Sequence, residues 1–214
     1  MSWLEIDYDE DFWLEVPLRW TIGAVEPWEE DEDSRTPREW ATETAELWWD
    51  EWDEDPGEGG IEVLADTLVG CVERYPKMFP GFEVLLYLPA PDSIPLPVFV
   101  SDFQSTGKEE PELRRVTLAD DEKAIEKPIV EDFTTEFLGT GLRVLRYSVE
   151  DEKNVVLSSL RYAWRNEEHG RDVVVITASP APAQILSALD DIDDLAHSIA
   201  LRHNDYIAPE TEGD

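Results

Sequence analysis

A cluster of carboxylates near the end of the chain is the first group that could do chemistry. The segment LDDIDD, residues 189–194, contains four aspartates, and carboxylate oxygens are the ligands that Ca²⁺ and Mg²⁺ prefer. The segment lacks the glycine turn and the distal glutamate of a calcium loop. Apolar residues recur around it at helical spacing, which predicts that Asp190, Asp191 and Asp194 lie on the solvated face of a helix. We therefore expect no metal site here.

Histidine and cysteine, which serve nucleophilic and metal chemistry, are few in this chain. Of the three histidines, His169 lies in a charged turn, and His197 and His203 are six residues apart. That spacing does not share a helical face as a metal pair at i and i+4 does. Cys71 is the single cysteine, beside an apolar helical stripe and without a flanking histidine, so we expect a buried, inert thiol. With no G-x-S-x-G motif either, the sequence predicts a protein that is not an enzyme and has no cofactor.

Five arginines in the last third of the chain are the remaining candidates for ligand chemistry. Residues 141–178 carry six acidic and six basic side chains, which makes them the electrically balanced part of the sequence. One interpretation is a small anionic ligand site, with Arg143 and Arg161 as its binding residues. The other is that these arginines pair with carboxylates of the same molecule, the usual arrangement for arginine among many acids. The five are Arg143, Arg146, Arg161, Arg165 and Arg171.

Tryptophans are concentrated in the N-terminal half, where WATETAELWWDEW, residues 40–52, holds four of the nine. At about 100° per residue, Trp48 and Trp52 fall within about 120° of Trp40 on a helix. These three rings are predicted to be core contacts. Trp49 falls about 180° from Trp40, at the margin of the apolar arc, and is predicted to be displayed. Trp49 and Trp28 are therefore the candidate aromatic binding residues.

The net charge of −34 limits the partners. A surface with 51 acidic and 17 basic side chains repels nucleic acid and anionic membranes, because phosphate binding needs lysine and arginine to displace counterions. Basic or hydrophobic protein surfaces are permitted partners, and the acidity alternatively serves solubility or salt tolerance. The N-terminus has no basic segment followed by an apolar run, and eighteen apolar residues never occur together. We therefore expect a cytoplasmic protein, as a monomer or homodimer.

Two helices are predicted in the first half of the chain. Thr36, Pro37 and Glu39 form a T-x-x-E capping box with proline at the first helical position. The second helix is expected over residues 60–75, because Leu64, Leu68 and other apolar residues fall within a narrow arc, and Pro76 is expected to end it.

Strands dominate the rest of the predicted structure. Residues 12–22, 82–89 and 97–103 have strand patterns, whereas 107–112 is predicted to be an exposed turn and 113–128 a short strand, a loop or a helical turn. Four β-rich runs then follow, joined by short polar turns that favour antiparallel neighbours. One turn is LGTG, residues 138–141. Ser179 is expected to cap a final helix.

These elements predict an α+β fold. It has an antiparallel sheet of six or seven strands, three main helices packed on the sheet, and a closing β-meander followed by a C-terminal helix. We expect one domain over residues 1–206, with an acidic loop at 26–35, and a disordered polar tail over 207–214.

The chain resembles the Mog1/PsbP-like α/β/α sandwich proteins at both ends. The residues concerned are the entry FWLEVPLRW, residues 12–20, and the strands and closing helix of residues 142–201. The two helices over 36–75 depart from that pattern. The resemblance implies a binding or accessory protein without catalytic machinery, and it supplies no site residues.

Two functional hypotheses follow. The first is a non-catalytic binding or accessory protein that acts through protein or small-ligand contacts. The alternative is a nucleic-acid mimic that inhibits a basic DNA-binding protein, which the charge motivates. An enzyme ranks third, since it would require a pocket in which carboxylates have raised pKa values.

Overall fold

A seven-stranded antiparallel sheet organises the protein. The computed structural model describes residues 3–18, 36–52, 55–150 and 154–202. The strands are β1 (Leu4–Glu5), β2 (Trp13–Glu15), β3 (Glu83–Tyr87), β4 (Leu96–Gln104), β5 (Ile129–Thr135), β6 (Gly139–Glu150), β7 (Val155–Asn166), β8 (Arg171–Ser179) and β9 (Ala200–Leu201). The sheet order is β2-β3-β4-β8-β7-β6-β5, and β1 pairs separately with β9. The predicted α+β class is confirmed.

Helices cover both faces of this sheet. They are α1 (Pro37–Glu51), α2 (Gly60–Met78), α3 (Glu109–Thr117), α4 (Pro182–Ser187) and α5 (Leu189–Ser198). One face packs Leu160, Tyr162 and Trp164 of β7 against α4 and α5. The opposite face packs Val84, Leu86 and Phe99 against α1 and α2, and α3 lies on β6 and β7 of that same face.

The predicted meander of β5 to β8 is confirmed, and its tight packing depends on a glycine. Gly139 has a φ of 78° at the β5–β6 hairpin, a conformation that favours glycine. A Cβ on Gly141 would lie 2.2 Å from the Ala163 carbonyl oxygen and 2.5 Å from a ring carbon of Trp164. The missing side chain leaves room for the Trp164 indole, whose N–H donates to the Phe133 carbonyl at 3.2 Å.

The capping box at the start of α1 is confirmed. The backbone N–H of Thr36 donates to the Glu39 carboxylate at 2.8 Å, and the Thr36 hydroxyl accepts from the Glu39 N–H at 3.2 Å. Helix α1 then packs against α2 through the small residues Ala41 and Ala45, which are fully buried. Small side chains allow two helices to approach closely, so these alanines mark the centre of the buried face.

Two predictions before the meander are wrong, one for the end of α2 and one for residues 107–118. Helix α2 continues through Pro76 to Met78, because a proline in the last turn removes a single backbone hydrogen bond. The predicted turn and strand around residues 107–118 instead contain α3. Its first turn is acidic and its last turn carries arginines, which suits the helix dipole.

The C-terminal helix is divided into α4 and α5 at Ala188. Its N-cap is Ala181 rather than Ser179, whose hydroxyl accepts from the Ala181 N–H at 3.0 Å. Within the described part of the strand predicted over 12–22, residues 12–18, β2 covers Trp13–Glu15, and residues 19–22 lie outside the described residues.

Several predictions fall outside the described residues. They are the acidic loop at 26–35, Trp28, His203 and the tail at 207–214. Among the helices that are described, none is both long enough and apolar enough to cross a membrane.

Candidate binding surface

The structure places the predicted site residues on opposite faces of the sheet. Arg143 lies on the side of α4 and α5, where it contacts Asp193 of α5. Arg161 lies on the other side, where it contacts the backbone of α3, and Trp49 packs in the core between α1 and α2. The three residues therefore do not form one site.

Arg143 belongs to a closed polar network. Its Nη2 donates to Glu131 at 2.7 Å, and its Nη1 pairs with Asp193. The hydroxyl of the fully buried Tyr162 donates to the other oxygen of Asp193. Burial raises the pKa of Asp193, although the bonds from Tyr162 and Arg143 oppose this rise. Each hydrogen bond in the network joins two groups of the chain, so Arg143 acts as a clamp between β6 and α5.

Three other arginines of the meander also pair with carboxylates. Arg165 bonds the buried Asp172 at 2.7 Å through both Nε and Nη2. Arg146 pairs with Asp121, and Arg171 with Asp102. For these residues and Arg143, intramolecular pairing is the correct interpretation.

Arg161 differs from the other four. Its Nη1 donates to the Val116 carbonyl at 2.9 Å, and the ion pairs found among the described residues do not include it. Burial lowers the pKa of Arg161, and the nearby Arg146 lowers it further. Unlike the other four arginines, Arg161 therefore still supports the anion-site interpretation.

The expectation that Trp49 is displayed is wrong. Trp49 is only 8% exposed, whereas Leu47, which lies about 20° from Trp40 around the helix, is 62% exposed. The buried face of α1 centres on Ala41 and Ala45 rather than on Trp40, so the arc is rotated towards Trp49. The spacing of the small residues Ala41 and Ala45 in the sequence is the signal that locates the centre of the buried face of α1.

Trp49 instead lies at the base of a groove, which we call the Trp49 groove. It has a volume of about 480 Å³ and lies between the start of α2 and the β3–β4 connection. Its rim carries two strongly exposed apolar side chains, Val63 at 68% and Ile94 at 79%. The lining residues are Trp49, Pro56, Glu58, Gly59, Gly60, Val63, Leu64, Thr67, Pro91, Asp92, Ser93, Ile94 and Pro95. Its charged members are both acidic, Glu58 and Asp92.

Local contacts hold the walls of the Trp49 groove in place. A Cβ on Gly60 would lie 3.2 Å from Cζ2 of Trp49, so the absence of a side chain lets the ring pack against the α2 backbone. In the opposite wall, Ser93 N–H donates to the Ala90 carbonyl at 3.0 Å. Gln184 of α4 donates to the Ile94 carbonyl at 2.7 Å. The proline-rich wall is therefore tied to a helix on the far side of the sheet, and the groove is formed before any ligand arrives.

Buried donors without acceptors occur at this groove and elsewhere on the same side of the sheet. Five buried polar atoms among the described residues have no hydrogen-bond partner. Two are the indole N–H groups of Trp48 and Trp49. The other three are Arg146 Nε, Arg161 Nε and Ser159 Oγ. All five lie on the side of α1, α2 and α3.

An acidic cavity occupies the opposite side. It has a volume of about 340 Å³ and lies between the N-terminal segment and α5. Its walls combine aromatic rings with four carboxylates, and Asp191 already accepts from Tyr87 at 2.6 Å. The lining residues are Asp7, Tyr8, Asp9, Phe12, Trp13, Asp191, Asp194 and Leu195. In the described parts of the chain, no three His, Cys, Asp or Glu side chains are grouped to hold a metal ion.

Cys71 is buried, as the sequence predicts. Burial raises the pKa of its thiol to about 11. Since the thiolate is the nucleophile, this cysteine is unreactive near pH 7.

Comparisons with known proteins add no assignment to this geometry. No protein-family model matches the chain, and no curated protein matches it. The functional proposal therefore rests on the contacts, burial and charge of the described residues.

Proposed function

We propose that this is a non-catalytic binding protein that takes an apolar segment of a basic partner protein into the Trp49 groove. The observation that carries the proposal is the pairing of two strongly exposed apolar residues, Val63 and Ile94, with a rim whose charged residues are Glu58 and Asp92. An exposed apolar patch with a polar rim is typical of a protein-binding surface.

The apolar part of the groove supplies the affinity. Covering a Val or Ile side chain completely contributes roughly 1.5–3 kcal/mol, and Val63 and Ile94 are both mostly uncovered. Trp49 offers a flat aromatic base of the kind that dominates binding energy at interfaces. The tied walls reduce the entropy lost on binding, because little of the groove has to be ordered.

The negative charges at the groove and over the chain favour a basic partner. Glu58 and Asp92 stand in a chain with a net charge of −34, so a basic segment is attracted and an acidic one repelled. Such charges mainly raise the association rate, and they do so less as salt increases. The partner is therefore expected to carry lysine or arginine beside its apolar residues.

Two synthetic peptides test this proposal. They share an apolar centre and differ only in flanking lysines or glutamates, and each is titrated calorimetrically into the full chain. We expect binding of the lysine-flanked peptide alone. The double variant Val63→Glu, Ile94→Glu should weaken it at least about tenfold, since two apolar contacts are lost.

Leu47→Glu is the matched control, because Leu47 is comparably exposed but lies outside the groove. It adds the same kind of charge and should leave affinity nearly unchanged. Equal binding of both peptides, or equal loss in the Leu47 and groove variants, would reject the proposal.

The nucleic-acid mimic is the second candidate, supported by a stripe of acids along α1. Glu39, Glu43, Glu46 and Asp50 are exposed on this helix and recur every three or four residues, about 4.5–6 Å along its axis. A mimic should displace a labelled DNA duplex from a basic DNA-binding protein at low salt and lose this ability when Glu46→Gln and Asp50→Asn are combined. Failure of the wild-type chain to displace the duplex would reject this candidate.

The remaining parts of the proposal come from the sequence. They are the absence of catalysis, a cytoplasmic localisation, a monomeric or homodimeric state, and the resemblance to Mog1/PsbP-like proteins. Each stays a prediction.

A further inference from the structure

We infer that Arg146, Ser159 and Arg161 form a binding site for a small oxyanion beneath α3. This site shares no residue with the Trp49 groove, so it stands or falls independently of the proposed function.

Strand register brings the three side chains together. Arg146 of β6 is directly opposite Ser159 of β7, and Arg161 is two residues further along β7. Because side chains alternate between faces, all three point to the side of the sheet that α3 covers. Diagonal neighbours of this kind lie about 7–8 Å apart, within reach of long side chains.

Each of the three carries a donor without an acceptor. Arg146 Nε, Arg161 Nε and Ser159 Oγ are buried and unpartnered among the described residues. Ser159 is only 3% exposed, so bulk water does not satisfy its hydroxyl. A buried donor left unpaired is costly, and such groups in native proteins usually have a ligand, ion or water.

Charge distinguishes an anion from a water molecule as the missing partner. The ion pairs of the described residues give Arg146 a carboxylate, Asp121, and give Arg161 none. Two guanidinium groups with one carboxylate leave one positive charge uncompensated in a largely buried place. A water molecule satisfies donors but does not neutralise charge, whereas an oxyanion does both.

The chemistry of the three donors suits an oxyanion. Guanidinium Nε–H groups and a hydroxyl are the donors that bind phosphate, sulfate and carboxylate oxygens. Arg161 keeps Nη1 on the Val116 carbonyl, so the anion would also fix α3 against the sheet. The ligand class is a small oxyanion, either an inorganic ion or the carboxylate of a small molecule.

Salt-matched titrations of the full chain test the site. Sodium phosphate, sulfate, acetate and chloride are compared at equal ionic strength, because any salt screens the self-repulsion of 34 negative charges. We expect phosphate, sulfate or acetate to raise the melting temperature above the chloride value. A response to acetate alone assigns the site to a carboxylate ligand, and a response to phosphate or sulfate assigns it to an inorganic ion.

Three variants test whether the rise in melting temperature comes from anion binding at this site. Ser159→Ala removes a hydroxyl that has no hydrogen-bond partner among the described residues, so the variant should fold normally and bind the anion at least about tenfold more weakly. Arg161→Gln should abolish the response, and Arg171→Gln, which alters an arginine paired with Asp102, should retain it. Equal stabilisation by all four salts would overturn the inference. So would an undiminished response in Ser159→Ala and Arg161→Gln.

Discussion

The two faces of the sheet differ in how completely the chain satisfies its own polar groups. On the α4–α5 side, Tyr162 and Arg143 both donate to Asp193, and Trp164 donates to a backbone carbonyl. On the α1–α3 side lie all five buried unpartnered donors of the described residues. We call the α4–α5 side the closed side and the α1–α3 side the open side. Both proposed sites lie on the open side.

The presence or absence of an internal partner separates polar residues that stabilise the fold from polar residues that are candidates for binding. Arg143 and Arg161 are the same residue type in the same meander. Arg143 has two carboxylate partners, whereas Arg161 has a backbone carbonyl. Of the five arginines of the meander, Arg161 is the one with no carboxylate partner among the described residues. In a chain with three acids for every base, this makes Arg161 the candidate for binding an external anion.

The largest expected effect lies on the closed side, at Gly141. Gly141→Ala forces a methyl group to within 2.2 Å of a backbone oxygen, so strands β6 and β7 must separate. We expect a loss of at least about 3 kcal/mol in the free energy of unfolding, measured by urea denaturation.

Gly70→Ala is the control for this change. Gly70 lies in α2 with nothing within 4 Å of an added Cβ, so alanine should stabilise by up to about 1 kcal/mol. Similar stability for both variants would contradict the packing of Trp164 over Gly141.

A matched pair of tryptophans gives the next largest effect. Trp164→Phe replaces a buried indole with a smaller phenyl ring and also removes the hydrogen bond to the Phe133 carbonyl. Trp49→Phe makes the same replacement at a buried indole whose N–H bonds nothing among the described residues. Urea denaturation should show Trp164→Phe to be more destabilising by about 1–2 kcal/mol, and a reversed order would break the distinction between the two sides.

The closed side should also have a signature in pH. The folded-state pKa of Asp193 is raised by burial, so its contribution to stability is complete below the unfolded value, about 3.8. This contribution is lost as pH rises through the raised pKa. Asn resembles the protonated carboxyl, so Asp193→Asn and the wild type should be most alike at the acidic end, and the wild type should lose stability relative to the variant as pH rises. Denaturation midpoints across this range test it, and a wild type that gains stability relative to the variant as pH rises would contradict it.

Ser159 should give the smallest effect on stability. Ser159→Ala on the open side removes a buried hydroxyl that has no partner among the described residues, so its free energy of unfolding in chloride should not fall and should rise by up to about 1 kcal/mol. A clear destabilisation in urea titrations would show that this hydroxyl has an internal acceptor.

Much of the fold was predictable because its signals are local. The capping box of Thr36 and Glu39, the meander of short turns and the apolar stripe of α2 each depend on neighbouring residues. Helix α3 was missed because its sequence is charged and contains Pro111, although acids in its first turn and arginines in its last turn favour a helix.

The candidate sites were less predictable because they depend on tertiary placement. The sequence assigns Trp49 the wrong exposure, since the rotation of α1 is set by its contact with α2. The Trp49 groove joins Trp49 of α1 to residues 91–95 of the β3–β4 connection, 42 to 46 residues further along the chain, and no local pattern predicts that meeting. Arg161 was identified, but only the register of β6 and β7 shows its grouping with Arg146 and Ser159.

Nuclear magnetic resonance of the side-chain N–H groups tests the central claim most directly. Tryptophan Nε1–H and arginine Nε–H signals are recorded while the lysine-flanked peptide and then phosphate are added to the full chain. We predict that the peptide shifts Trp49 and that phosphate shifts Arg146 and Arg161, while Trp164 and Arg143 stay unchanged. Shifts confined to Trp164 and Arg143, or no shift in any of these signals, would contradict the assignment of binding to the open side.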